Sequence, residues 1–295
     1  MVAVRAVTAP EVPIIRRAQP ADAEVCGSIC YEAFTTLNKK FNFPPDFPSP
    51  EVAQGVLSSM FGNPGFFCVV AEQGGRLLGS NCMDERSTIA GIGPITVDPS
   101  AQNKTVGRQL MRAVMERAAE RNFAGVRLVQ AAFHSRSMAL YAKLGFDIRE
   151  PLAVMQGPAI GEAPNGYIVR AAVAGDVPVC NALCRRVHGH DRSGELSDDI
   201  RDATAHVAEH DGKITAYASH VGFFGHAVAE SNADLQALLG GVEAFAGPGI
   251  LVPTRNTELF RWCLNHDLRI VEPMTLMTLG LYNEPLGAYL PSILY

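Results

Sequence analysis

Apolar and polar positions along the chain change period repeatedly, near two in some stretches and near 3.6 in others, which predicts a mixed α/β protein. A short strand over Ile15 to Ala18 is followed by a helix whose first turn carries Asp22 and Glu24, where the helix dipole favours acids. Ser49-Pro50-Glu51, a capping residue before a proline, opens a second helix. Pro44, Pro45 and Pro48 make Asn38 to Pro48 a loop. Phe66 to Glu72 and Arg76 to Asn81, around Gln73-Gly74-Gly75, read as an antiparallel hairpin. Ile89 to Val97 is strand-like but interrupted by Gly91, Gly93 and Pro94, which mark a bulge or bend. Leu110, Met111, Val114, Met115 and Ala118 share one helical face, so Thr105 to Arg121 is an amphipathic helix. A strand over Val126 to Ala131, a helix over Ser137 to Leu144 and a strand starting at Phe146 complete the unit, and Gly157 to Asn165 reads as a linker.

The same pattern then repeats. Ile15-Arg-Arg-Ala with Asp22, Cys26 and Cys30 recurs as Ile168-Val-Arg-Ala with Asp176, Cys180 and Cys184. Val70-Ala-Glu72 before Gly75-Arg-Leu77 recurs as Val207-Ala-Glu209 before Gly212-Lys-Ile214, and Ser135-Arg136 with Leu140-Tyr141 recurs as Thr254-Arg255 with Leu259-Phe260. Matches in the same order at similar intervals predict two copies of one fold, residues 1–157 and 158–295.

Composition narrows the partners. A net charge of -5 speaks against a nucleic-acid backbone, and a small molecule or a protein is the expected substrate class. No apolar run is long enough to span a bilayer, and Met1 to Arg17 carries prolines and arginines where a signal peptide needs an apolar stretch, so a cytoplasmic protein without membrane partners is expected. Seven scattered cysteines do not form a secreted disulfide framework and read as reduced thiols. Cys26 with Cys30, Cys180 with Cys184, and His188-Gly-His190-Asp191 could each be offered as metal ligands; buried thiols and a polar loop are the better readings, and no metal is expected.

The segment richest in chemistry is Ile95-Thr-Val-Asp-Pro-Ser-Ala-Gln102-Asn103-Lys104-Thr105-Val106-Gly107-Arg108. A strand ends, a loop follows and a helix opens around a glycine, presenting unpaired N–H groups to an anion such as a pyrophosphate. An ordinary strand-to-helix turn looks the same when read alone.

With Arg136-Ser137-Met-Ala-Leu140-Tyr141-Ala-Lys-Leu144-Gly145-Phe146 further on, the chain resembles the GCN5-related N-acetyltransferase superfamily over Ile15 to Gln156, and its second copy resembles it weakly. Gln102, Thr105 and Gly107 occupy the three marked positions of the family's phosphate loop, with threonine where glycine is usual. The resemblance implies transfer of an acetyl group from acetyl-CoA to an amine of a small molecule or protein, by direct attack within a ternary complex. It implies Tyr141 as the acid that protonates the leaving thiolate, the backbone of Ile95, Thr96 and Val97 against the pantetheine arm, and the N–H groups from Gln102 through Asn103, Lys104, Thr105, Val106 and Gly107 to Arg108 against the pyrophosphate. It places His134 and Ser137 beside the coenzyme, His134 standing where many members have asparagine.

No carboxylate lies in Ile89 to Val97, where many members carry a base. Asp84 and Glu85 are the nearest candidates and read as solvated turn acids. The apolar tail Ala288 to Tyr295 is expected to dock between the copies. Its terminal carboxylate is a further candidate, as in the similar enhanced-intracellular-survival enzymes. In the second copy a strand runs through Glu230-Ser231-Asn232 almost directly into a helix, and Phe260 replaces the tyrosine, so that copy reads as degenerate. A catalytically silent coenzyme sensor or scaffold is the alternative reading of the whole.

Overall fold

The structure, a computed structural model, describes residues 12–102 and 105–295. The first copy runs β1 (Ile14–Arg17), α1 (Ala23–Phe41), α2 (Pro50–Gly62), β2 (Phe66–Gln73), β3 (Arg76–Asp84), β4 (Ile89–Ile92), β5 (Thr96–Val97), α3 (Val106–Glu120), β6 (Gly125–Ala131), α4 (Ser135–Lys143) and β7 (Asp147–Gln156). The second runs β8 (Tyr167–Ala171), α5 (Val177–His188), α6 (Ser193–Arg201), β9 (His206–His210), β10 (Lys213–Ala218), β11 (Ala227–Ala229), α7 (Asn232–Gly240), β12 (Ile250–Pro253), α8 (Thr257–Asn265), β13 (Arg269–Gly280) and β14 (Ala288–Leu290). One boundary differs from expectation. Helix α1 continues through Asn38 and ends where Asn42 turns left-handed (φ 59°), with the Phe43 N–H donating to the Asn38 carbonyl at 2.9 Å. The first proline comes only at Pro44, and asparagine tolerates the left-handed cap that ends the helix.

The repeat is visible down to single contacts. Arg16 lies opposite Val70 in the β1–β2 ladder, and Arg170 lies opposite Val207 in β8–β9. Arg16 reaches Glu72 and Asp22, each at 2.7 Å, while Arg170 reaches Glu209 at 2.6 Å and Asp176 at 2.7 Å. Both aspartates accept a backbone N–H at 2.8 Å, from Gln19 and Val173. These half-exposed pairs contribute little stability. Their recurrence shows that the same sequence signals build the same corner twice.

A nine-stranded sheet runs in the order β1-β2-β3-β4-β6-β13-β7-β12, with β5 pairing β3, and a five-stranded sheet runs β14-β11-β10-β9-β8. The strands that follow the two short helices α4 and α8 are exchanged: β13 lies between β6 and β7, and β7 lies between β13 and β12. Leu128 therefore faces Met277 across the β6–β13 ladder, and Met277 packs with Leu110, Met111 and Val114 of α3. On the opposite face, α1 and α2 pack with Leu152 of β7 and Met274 of β13. Burying a side chain of this size stabilises by roughly 1.5–3 kcal/mol, so each copy holds the other's core together.

The tail is docked. Strand β14 pairs β11, the Ile293 N–H donates to the Phe223 carbonyl at 2.8 Å, and Tyr295 lies against β4, where a Cβ on Gly91 would come within 2.7 Å of its ring. Only glycine admits that approach. The seven cysteines are buried and unpaired, and burial pushes the Cys26 and Cys180 thiols up to about 12. His188 and His190, expected in a polar loop, are instead buried, because α5 runs to His188 and β14 brings Tyr289 against it. Burial, then neighbouring cations, lowers both, His190 to about 3, so both rings stay neutral. Among the described residues no group of three or more His, Cys, Asp or Glu could hold a metal, and no helix is long and apolar enough to cross a membrane.

Candidate functional site

The site starts from a broken strand. β4 pairs β6 in parallel from Ile89 against Gly125 to Gly91 against Arg127, and then stops. The chain turns through Gly93-Pro94 and resumes as β5 against β3, with Thr96 opposite Ser80, while β6 continues to Ala131 along β13. A gap opens between β5 and the far half of β6. A cavity of about 770 Å³ passes through it, lined by Ile92 to Val97 on one side and Leu128 to Ala131 on the other.

Helix α3 ends on this cavity. The Gln109 N–H closes the first helical turn on the Thr105 carbonyl at 3.0 Å, so those of Val106, Gly107 and Arg108 lack intrahelical acceptors. A Cβ on Gly107 would meet Val97 at 3.7 Å and Leu140 at 4.0 Å, which is ordinary contact. Internal packing alone therefore does not demand glycine there. Thr105 takes φ 67° and ψ -8°, a left-handed conformation that costs an L-residue about 1–2 kcal/mol. Thr105→Gly should relieve that cost and return about 0.4–1 kcal/mol to the unfolded chain. A net gain near 0.5–1 kcal/mol is expected in urea unfolding, with coenzyme affinity equal or tighter.

Gln102 ties the two motifs together: its Nε2 donates to the Val97 carbonyl at 3.2 Å, and its Oε1 accepts from Arg136 at 2.6 Å. His134 caps α4, with Nδ1 at 2.9 Å from the Ser137 hydroxyl; burial, aided by Arg136 and Lys40, lowers its pKa and keeps it neutral. Tyr141 lies 6% exposed on α4, edge-on to Phe146 with ring centroids 6.3 Å apart. Burial raises its pKa, so the phenol keeps its proton. Ile95, Thr96, Val97, Gln102, Thr105, Val106, Gly107, Arg108, His134, Ser137 and Tyr141 all line the one cavity, whereas Asn103 and Lys104 lie outside the described residues.

The expected acids do not reach it. Asp84 ends β3 buried rather than solvated, gripped by Arg86 at 2.6 and 2.9 Å, and Glu85 is held by Arg117 at 2.7 and 3.1 Å. Arg86 folds back over the Phe66 ring and also reaches Asp198 of α6, which is why the turn is not open to water. Tyr295 is 3% exposed, and its terminal carboxylate accepts from Arg192 at 3.2 Å; its neighbour Leu294, not Tyr295, lines the cavity.

Two other acids do line it. Asp46, in the proline loop, hydrogen-bonds Glu272 of β13, and Asn38 of α1 hydrogen-bonds Asp46. Burial, then the charge of Asp46, pushes the Glu272 pKa up to about 9, and burial raises Asp46 as well, so the pair shares a proton at neutral pH. Sequence reasoning missed both. The available signal was one carboxylate inside the apolar run Val271-Glu272-Pro273-Met274.

In the second copy the equivalent opening is narrowed to a cavity of about 400 Å³, lined by Glu230, Ser231, Pro253, Arg255 and Tyr289. β14 pairs β11 on the edge facing β12, and only Glu230 and Ser231 separate β11 from α7. Ser231 caps α7 by accepting from the Asp234 N–H at 3.3 Å, and the Asp234 carboxylate sits in the first turn, accepting from the Tyr167 hydroxyl at 3.1 Å. The helix terminus is capped by Ser231, with the Asp234 carboxylate beside it. Phe260 stands where Tyr141 does and packs into the core.

The model of the acetyltransferase (GNAT) family matches residues 31–146. A protein from Pyrococcus horikoshii, described as an acetyltransferase, is similar in structure with a TM-score of 0.70 at 19% identity, over 99% of this chain and 96% of that one. A GCN5-related N-acetyltransferase from Sphaerobacter thermophilus gives 0.60 at 18%, over 94% and 98%. A tandem GNAT protein from the clavulanic acid biosynthesis pathway gives 0.54 at 14%, over 91% and 98%. No curated protein sequence matches the chain. The family model therefore identifies a GNAT domain over residues 31–146 of the first copy, and the similar folds, one of them a tandem GNAT protein, span both copies.

Proposed function

We propose that residues 1–157 form an acetyl-CoA-dependent N-acetyltransferase domain, which acetylates an amine of a small molecule or protein, and that residues 158–295 shape its site. One observation carries this reading: a single cavity joins the open N-terminus of α3, the gap between β5 and β6, and a protonated, buried Tyr141. The N–H groups of Val106 to Arg108, which have no acceptor within the helix, suit a pyrophosphate, and the assignment extends to Gln102, Asn103, Lys104 and Thr105. The backbone of Ile95 to Val97, which lines the cavity where pairing to β6 has ceased, suits the amide groups of a pantetheine arm. His134 and Ser137 flank the thioester region. The amine nitrogen attacks the thioester carbonyl, the C–S bond breaks, and the thiolate takes the Tyr141 proton. The sheet supplies positioning, and the tyrosine supplies acid catalysis.

Isothermal titration with acetyl-CoA, followed by an acceptor screen, tests it. One site per chain is expected, because the α7 terminus is capped by Ser231 and faced by Asp234. Two sites of comparable affinity would refute the silent second copy. Tight binding without turnover of any amine would leave a coenzyme sensor, and no binding would remove the transferase reading altogether.

A further inference from the structure

The cavity is polarised across the sheet. On the α3–α4 side its charged lining groups are Arg108, Arg136 and Lys143. On the α1–α2 side, Lys40 is exposed at the rim near His134, and among the described residues the interior carries the carboxyls of Asp46 and Glu272. Glu272 shares the face of β13 with Met274 and Leu276, which pack against the α1–α2 core, while Tyr141 belongs to the α3 core beyond the gap. A polyanionic coenzyme fits the cationic side. The acidic side fits a cation.

We propose that the acetyl acceptor is a small primary amine with an apolar aromatic or branched-alkyl body, its ammonium held by Asp46 and Glu272 and deprotonated by that pair. The inference rests on the acetyltransferase reading of the same cavity. The walls beside the pair are apolar: Phe34 and Phe47 meet edge-on with centroids 5.9 Å apart, and Phe223 and Phe224 from the second copy do so at 5.5 Å. Such walls favour a hydrocarbon body and oppose a polyhydroxylated one. Two carboxyls buried side by side cannot both ionise, so the free protein keeps a shared proton between them. An ammonium supplies a countercharge and donors for both oxygens.

The protons balance. The ammonium gives one proton to the singly ionised pair, and its freed lone pair forms the C–N bond as the C–S bond breaks. Tyr141 gives its proton to sulfur and is restored by the second proton that nitrogen sheds; the pair releases the first to solvent. The raised Glu272 pKa, about 9, lies close to that of an alkylammonium, roughly 10, so the first transfer is nearly balanced. Glu272 belongs to the second copy by sequence and to the first copy's cavity by strand exchange, so the silent copy contributes a proton acceptor.

The full chain with acetyl-CoA is assayed against 2-phenylethylamine, isoamylamine, ethanolamine and a lysine-containing peptide, with coenzyme binding titrated separately. The two apolar amines should give kcat/KM at least about tenfold above the others. Glu272→Gln should bind acetyl-CoA as wild type does yet lose about a hundredfold in kcat/KM, and Asp46→Asn should raise the amine KM about tenfold. Coenzyme binding with preference for ethanolamine or the peptide, or with no turnover of the apolar amines, overturns the acceptor assignment while the coenzyme site stands. Failure to bind coenzyme at all overturns the transferase reading instead. If Glu272→Gln does not fold, the Asp46→Asn KM decides, and a wild-type KM there overturns the assignment.

Discussion

Gly107→Glu is expected to abolish coenzyme binding while leaving the protein folded. The position is the second residue of α3, and the space around it is open enough that a Cβ meets Val97 and Leu140 only at ordinary contact distance. A glutamate in the first turn is favourable to the helix, because it faces the positive end of the dipole. For the same reason it takes the place of the phosphate: its carboxylate reaches the N–H groups left open by Val106 to Arg108. Two like charges about 4 Å apart at an effective dielectric constant near 20 repel by roughly 4 kcal/mol. That corresponds to about a thousandfold in affinity. Gly107→Ala separates the two contributions, since it adds bulk without charge and should weaken binding by a smaller factor. Calorimetric titration of both variants, with thermal melts to establish folding, checks the assignment. Unchanged affinity in folded Gly107→Glu removes the pyrophosphate from this loop.

The elements that sequence made legible are those set by neighbours in the chain. Ser49-Pro50 opens α2, Gln73-Gly74-Gly75 turns the β2–β3 hairpin, and the face of Leu110, Met111 and Val114 packs α3 on the sheet. The duplicated Arg16 and Arg170 corners were equally readable, since each is built within one repeat. What was not readable is the strand exchange. β7 and β13 carry similar apolar patterns after similar helices, and nothing local says which copy's sheet each joins. The decision is made by pairing over more than a hundred residues, with Leu152 opposite Met274 and Met155 opposite Ile270. The same non-locality hid Asp46 and Glu272, which meet only because of that exchange. Asp84 was misjudged for a related reason: the cation that buries it, Arg86, is close in sequence, but Asp198, which holds Arg86 in place, is on α6 of the other copy.

Strand exchange also explains why a copy without a phosphate loop is retained in the architecture. β13 closes the first copy's sheet against β6, fills the α3 core with Met277 and places Glu272 and Met274 in the cavity wall. The second copy's own opening is narrowed by β14, whose continuation carries Ile293 and Leu294 into the first copy's cavity wall. One stretch of chain therefore both narrows the second copy's opening and supports the first copy's cavity.

Tyr141→Phe should lower turnover by about ten- to a thousandfold and leave coenzyme affinity nearly unchanged. A coenzyme thiolate has a pKa like that of cysteine, roughly 8.5, so it leaves tolerably without help, and the acid's contribution falls in the lower part of the usual range for general acids. Burial keeps this tyrosine's proton in place for donation, since its raised pKa leaves the phenol protonated at neutral pH. Burial also makes a lingering phenolate costly, which requires prompt replacement of the proton, and the nitrogen that has just attacked is the nearest source. Phenylalanine retains the edge-on contact with Phe146 and nearly all of the packing in the α3 core. A purely structural Tyr141 therefore predicts wild-type turnover, whereas an acid predicts a loss in kcat at constant coenzyme affinity. Steady-state kinetics with an acetylated amine, together with a titration of the same variant, separate the two. Wild-type turnover in folded Tyr141→Phe would mean that the sulfur receives its proton from another group or from water.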